Sequence, residues 1–140
     1  MANRATVVLK TVEGPGHVFE ARAGSGTSFL MDSAKDPQGP SPIETLLASL
    51  GACGGMDVIG ILRKKRQVVT GYEVVVTGER QSEHPRRFTR IEVVHRVKGR
   101  GLSGAAIEEA IRLSDTKYCS VHAMLEGVAE ITSRYEIVGS

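Results

Sequence analysis

Between Thr45 and Leu62 the chain carries a single charged residue, Asp57, and is otherwise apolar or small. A run of that kind constrains the fold more than any other feature, because whatever it forms must be screened from water. Its length approaches that of a membrane span. Gly51, Gly54, Gly55, Gly60, Ser49 and the aspartate argue instead for a helix buried within protein. The start of the helix is marked locally. Ser41 can cap it, Pro42 suits the first helical position, and Glu44 stands where a capping box needs a carboxylate. Arg63 to Arg66 suit its C-terminal end. A helix apolar on every side needs cover on every side, and one sheet layer supplies only part of it. The expectation is an obligate partner subunit.

Around this helix the pattern is strand-like. Thr6–Thr11 and His17–Ala23 flank the turn signal Gly14-Pro15-Gly16, and Thr27–Asp32 reads as a third short strand. After the helix, Tyr72, Val74 and Val76 alternate on one face, as do Ile91, Val93, His95 and Val97. These two segments read as an antiparallel pair joined around Glu83–Arg86. Ser103 opens a second helix through Ile107, Ala110, Ile111 and Ser114. A short helical piece, Val121–Leu125, and a last strand with Ile131, Ser133, Tyr135 and Ile137 on one side complete the chain. The class is α+β, and 140 residues suit one domain, residues 1–140.

Composition removes several functions. Eighteen Lys and Arg against sixteen Asp and Glu give a net charge of +2, too small to mark a nucleic-acid binder. Two cysteines make no disulfide scaffold. The first residues, Met-Ala-Asn-Arg-Ala-Thr, lack a signal-peptide pattern, so a cytoplasmic location with no membrane association is expected. Neither phosphate-binding glycine loops nor a paired-ligand metal motif occurs, and no cofactor or metal is expected.

Chemistry therefore rests on the cysteines and their neighbours. Cys53 lies mid-helix between Gly51-Ala52 and Gly54-Gly55. A buried structural thiol accounts for it, and so does a nucleophile with room beside it. Asp57 is one turn further on the same face, where an unpaired carboxylate would oppose a thiolate. Cys119 precedes the short helix, and a helix N-terminus is expected to lower its pKa. His122, three residues on, can face the same way. His95, among valines, reads as a satisfied core or interface histidine. The separation of the cysteines in sequence does not show that they meet. If they do, an attacking and a resolving thiol is the natural pairing.

Gly39-Pro40-Ser41-Pro42-Ile43-Glu44-Thr45-Leu46-Leu47-Ala48-Ser49-Leu50-Gly51-Ala52-Cys53, with Asp57-Val58, resembles the first cysteine helix of the OsmC/Ohr superfamily. Tyr118-Cys119-Ser120-Val121 resembles its second cysteine motif, and the order of elements is similar along nearly the whole chain. The resemblance implies an intertwined homodimer of antiparallel or mixed sheets about a long central helix that carries the first cysteine. It also implies thiol-based reduction of organic hydroperoxides, with Cys53 peroxidatic and Cys119 resolving. The reductant would be a dithiol, such as a lipoylated protein. A non-enzymatic dimer of the same fold, binding a small molecule or sensing redox state, is the alternative. In the peroxide-reducing branches a glutamate after the proline holds an activating arginine. Aligned on Pro42 and Cys53, this chain has Ile43 there and Glu44 one residue later. Thr11–His17 and Phe29–Ser41 contain no arginine, and Arg22 is the nearest candidate. The chain is in these respects closer to the YhfA-like branch.

Overall fold

The structure, a computed structural model, describes residues 2–139. Two compact units divide it, one running to Leu46 and the other beginning at Leu47. The first holds an antiparallel sheet of β1 (Ala5–Leu9), β2 (Phe19–Ala23) and β3 (Ser28–Met31), in that order. Its strand ends differ from the expected Thr6–Thr11, His17–Ala23 and Thr27–Asp32 by one or two residues, β1 starting one residue earlier and the others running shorter. Asp32, just after β3, is buried. Its carboxylate accepts the backbone N–H groups of Ala34 (3.0 Å) and Gln38 (3.1 Å), which hold its pKa below the usual range.

Helix α1, Pro42–Lys64, begins with the expected capping box. The Glu44 N–H donates to Ser41 Oγ (3.1 Å), and the Ser41 N–H donates to Glu44 Oε1 (3.0 Å). The helix ends before Arg66, whose positive φ of 58° turns the chain into β4.

In the second unit, β4 (Val68–Arg80) and β5 (Phe88–Arg100) form the long antiparallel pair, and β6 (Glu130–Ile137) joins β5 in parallel. The inner face of β5, with Ile91, Val93, His95 and Val97, is buried as alternation requires. On the outer face Arg96 bonds both Glu73 and Glu136, one residue from each neighbouring strand. Helix α2, Gly104–Leu113, is capped by Ser103, which accepts the Ala106 N–H (3.2 Å). The core joins Val58 and Leu62 of α1 to Val97 of β5 and to Ile107, Ala110 and Ile111 of α2.

Two details depart from the sequence reading. Helix α2 stops at Leu113, one residue before the Ser114 expected to close it, and Ser114–Tyr118 form one π-helical turn. Within its own unit α1 is buried along one stripe, Leu50, Gly51, Gly54, Gly55, Val58 and Leu62, while Met56 on the other side is 72% exposed. By length and composition alone α1 could cross a membrane. Its buried stripe is seated instead on the sheet.

Candidate functional site

Small residues decide how closely α1 meets its surroundings. A Cβ on Gly51 would stand 2.9 Å from Val76 Cγ2, and one on Gly55 would stand 3.3 Å from Val74 Cγ2. The helix therefore sits on the inward-facing valines of β4 at a distance that side chains would prevent. Gly54 faces elsewhere, with Ser114 Oγ and His95 Cε1 about its vacant Cβ position. This turn of α1 carries Cys53, half-buried, as its neighbour.

Cys119 is supplied by a different device. The π-helical turn leads into α3, Ser120–Leu125, with Cys119 as its N-cap. Cys119 is buried, and its Sγ accepts the His122 N–H at 3.3 Å. The Cys53 and Cys119 thiols, 66 positions apart in the chain, are near enough for Cys53 to act on the ionisation of Cys119. The structure thus brings the two cysteines together, which spacing could not show.

The expectation of a lowered pKa at Cys119 is overturned. Burial pushes the thiol up to about 11, and the adjacent Cys53 adds to the rise. Backbone N–H groups of His122 and Val121 pull the other way and lose. A six-residue helix offers little compensation for removing a thiolate from water. Cys119 is held as a thiol, a donor that can face Cys53.

The polar groups nearby come in pairs. Ser114, at the start of the π-helical turn, donates to Asp57 Oδ2 at 2.9 Å, so the carboxylate one turn beyond Cys53 is not left bare. Tyr72 on β4 and His95 on β5 meet at 2.6 Å, hydroxyl to Nδ1. Burial raises the Tyr72 pKa, helped by the Asp57 charge. Burial lowers that of His95, against the pull of Asp115. Both are therefore neutral, and a single proton is shared along the phenol–Nδ1 contact. His95 is a satisfied core histidine, as read from its alternation with valines. Tyr72, its partner, was not singled out as polar by the sequence, since nothing local links residues 23 positions apart.

His122 is the exception. It is 8% exposed, and its Nδ1 has no hydrogen-bond partner although Glu126 Oε2 lies 3.5 Å away. Its Nε2 is 3.9 Å from Asp115 Oδ1. Among the described residues no group of three or more His, Cys, Asp or Glu is arranged to hold a metal ion. Arg22, the nearest arginine by sequence, is engaged by Glu20 at 2.8 Å within the first unit. Glu44 is likewise occupied by its cap, where the Ser41 N–H and hydroxyl hold its pKa down.

The sequence matches the family model described as OsmC-like protein over residues 34–134, a span that includes both cysteines. The chain belongs to the OsmC-like family. Among curated relatives, Protein YhfA of Escherichia coli (strain K12) is 44% identical over 132 residues, covering 94% of this chain and 97% of that protein. Among solved structures, a hypothetical protein from Aquifex aeolicus VF5 is 29% identical with a TM-score of 0.87, over 100% of this chain and 98% of that one. The organic hydroperoxide resistance protein OhrB of Bacillus subtilis is 13% identical with a TM-score of 0.63, over 97% and 98%. At that identity the likeness is one of fold. This OsmC-like chain thus shares its overall α+β fold with both of those solved structures.

Proposed function

We propose that this OsmC-like protein is a thiol-dependent reductase of organic hydroperoxides, with Cys53 peroxidatic and Cys119 resolving. The observation that carries the reading is the meeting of the two thiols, the more open one on α1 and the buried one at the cap of α3. The Cys53 sulfur attacks the distal peroxide oxygen, the O–O bond breaks, and the alcohol leaves with a proton. Cys53 is then a sulfenic acid. Cys119 displaces its hydroxyl as water and closes a Cys53–Cys119 disulfide. An external dithiol restores both thiols by exchange, itself becoming a disulfide. A lipoylated protein fits that requirement. The family of the chain and the hydroperoxide resistance named for OhrB support the same chemistry.

The second reading is a redox-sensing or small-molecule-binding dimer of the same fold. It is favoured by one observation: the Glu44 carboxylate is engaged by the Ser41 cap and Arg22 by Glu20, so neither is placed to activate Cys53. On this reading the cysteines oxidise slowly and without turnover. In either case the working unit is a homodimer in the cytoplasm.

Stoichiometric alkyl hydroperoxide should form the Cys53–Cys119 disulfide, detected by mass, and a dithiol should then sustain hydroperoxide consumption. Cys119→Ser should stop at a Cys53 sulfenic acid that external thiols trap. Cys53→Ser should consume nothing. Unchanged consumption in Cys53→Ser would refute the mechanism. Disulfide formation without turnover would select the sensing reading.

A further inference from the structure

We infer that closing the Cys53–Cys119 disulfide uncaps α3 and opens the segment 119–126, making this helix the element that reports the oxidation state of the pair. The inference rests on the disulfide-forming reading of the two cysteines and extends it to what the fold does afterwards.

The geometry gives Cys119 Sγ two engagements at once. It accepts the His122 N–H that caps α3, and it is the thiol beside Cys53. Oxidation removes two electrons and two protons from the thiols. With a hydroperoxide as oxidant, the products are the disulfide, an alcohol and water. The sulfurs must then approach to about 2.05 Å, far inside any hydrogen-bonded separation. At least one of the two sulfurs has to leave its present position.

Helix α1 is poorly placed to move. It is 23 residues long, and it already rests on Val76 with no space for a Cβ at Gly51 and on Val74 with little at Gly55. Helix α3 has six residues and one side-chain cap, the Cys119 sulfur. Its further hold comes from backbone bonds, Ala123 N–H to Cys119 O at 3.1 Å and Glu126 N–H to His122 O at 2.9 Å. The sulfur that moves is therefore that of Cys119, and its movement breaks the cap.

A second observation points the same way. His122 is buried in α3 with Nδ1 unpartnered, an arrangement that costs free energy in the reduced protein and is relieved when the ring reaches water. The reduced helix is thus held closed by a sulfur cap over an imidazole whose Nδ1 makes no hydrogen bond and has only the Glu126 carboxylate, 3.5 Å away, beside it. Asp115 and Glu126, the carboxylates nearest that ring, would then face a solvated histidine.

Amide hydrogen exchange tests this on the full chain, reduced with dithiothreitol or oxidised with diamide, with the disulfide verified by mass. Diamide forms the bond whether or not a hydroperoxide does. The amides of His122, Ala123 and Glu126 should exchange at least about tenfold faster in the oxidised protein, as expected for a lost cap. The amide of Ile107, which bonds Ser103 O within the capped turn of α2, should be unchanged. Cys53→Ser treated with diamide should show no acceleration. Equal protection in both states would overturn the inference, as would acceleration that extends to Ile107 or occurs in Cys53→Ser. If diamide forms no disulfide, both this inference and the reading of the cysteines as a pair fall. If diamide forms it and alkyl hydroperoxide does not, the peroxidase reading alone falls, and the exchange rates still decide the inference.

Discussion

At Cys119 two influences act on one sulfur, and their balance makes a measurable difference to stability. The helix end favours a thiolate, burial favours the thiol, and burial wins. The group keeps its proton in the folded chain up to about pH 11, whereas the unfolded chain releases it near 9. Above pH 9 the unfolded state binds fewer protons, so folding stability falls as pH rises from 9 towards 11. Urea unfolding of the reduced protein should show this decline, and Cys119→Ser should show less of it. An identical alkaline profile in the variant would contradict the assignment. Glu44 poses a similar choice between a structural and a chemical role. Its carboxylate is spent on the Ser41 N–H, and glutamine can accept the same bond. Glu44→Gln should therefore slow Cys53 oxidation by less than about tenfold, below the range of a lost catalytic acid or base. A hundredfold loss with the fold intact would make Glu44 catalytic.

At the scale of elements, α1 is the clearest test of what close packing contributes. Gly51 and Gly54 are three residues apart and look equivalent in the sequence, but their vacant Cβ positions differ. The one at Gly51 is 2.9 Å from Val76 Cγ2, and the one at Gly54 is 3.7 Å from Ser114 Oγ, an ordinary contact. Gly51→Ala should cost about 1–3 kcal/mol, the usual scale of overpacking. Gly54→Ala should be neutral or stabilising by up to ~1 kcal/mol through helix propensity. Thermal unfolding of the two variants would reverse this reading if their order were inverted. Legibility divides along similar lines. The capping box was readable because Ser41 and Glu44 recognise each other within one turn. The alternation of β4 and β5 was readable because burial imposes it residue by residue. The π-helical turn was not, since Ser114 continues the helical period of α2 and its side chain is engaged by Asp57, 57 positions away. The cysteine pair was legible only through family resemblance, and Tyr72–His95 not at all as a pair, for the same reason of long separation.

For the whole molecule the outstanding quantity is apolar surface. The stripe of α1 seated on the sheet accounts for less than half of a helix that is apolar nearly all round. Met56 is 72% exposed, with Ala48 and Ala52 also exposed. The unit up to Leu46 has its own apolar hollow of about 450 Å³, lined in part by Val7, Phe19, Met31 and Pro42. Val7, in that lining, is 54% exposed, and Phe29, elsewhere in the same sheet, is 48% exposed. Isolated exposed apolar residues are ordinary, but a helix face that is both continuous and uncharged is costly to leave in water. A second copy of the chain is the occupant that the resemblance to the OsmC/Ohr superfamily implies. Its interface should then bury roughly 2,000 Å² or more, the size of an obligate contact. Light scattering should find a dimer down to low micromolar concentration. Met56→Glu, which puts a charge on the outward face and leaves the buried stripe untouched, should shift the chain towards monomer and lower its unfolding midpoint. Since an obligate dimer has no independently stable protomer, that midpoint should depend on protein concentration in the wild type. A wild-type monomer that stays folded on dilution, with a midpoint independent of concentration, would show that α1 needs no partner.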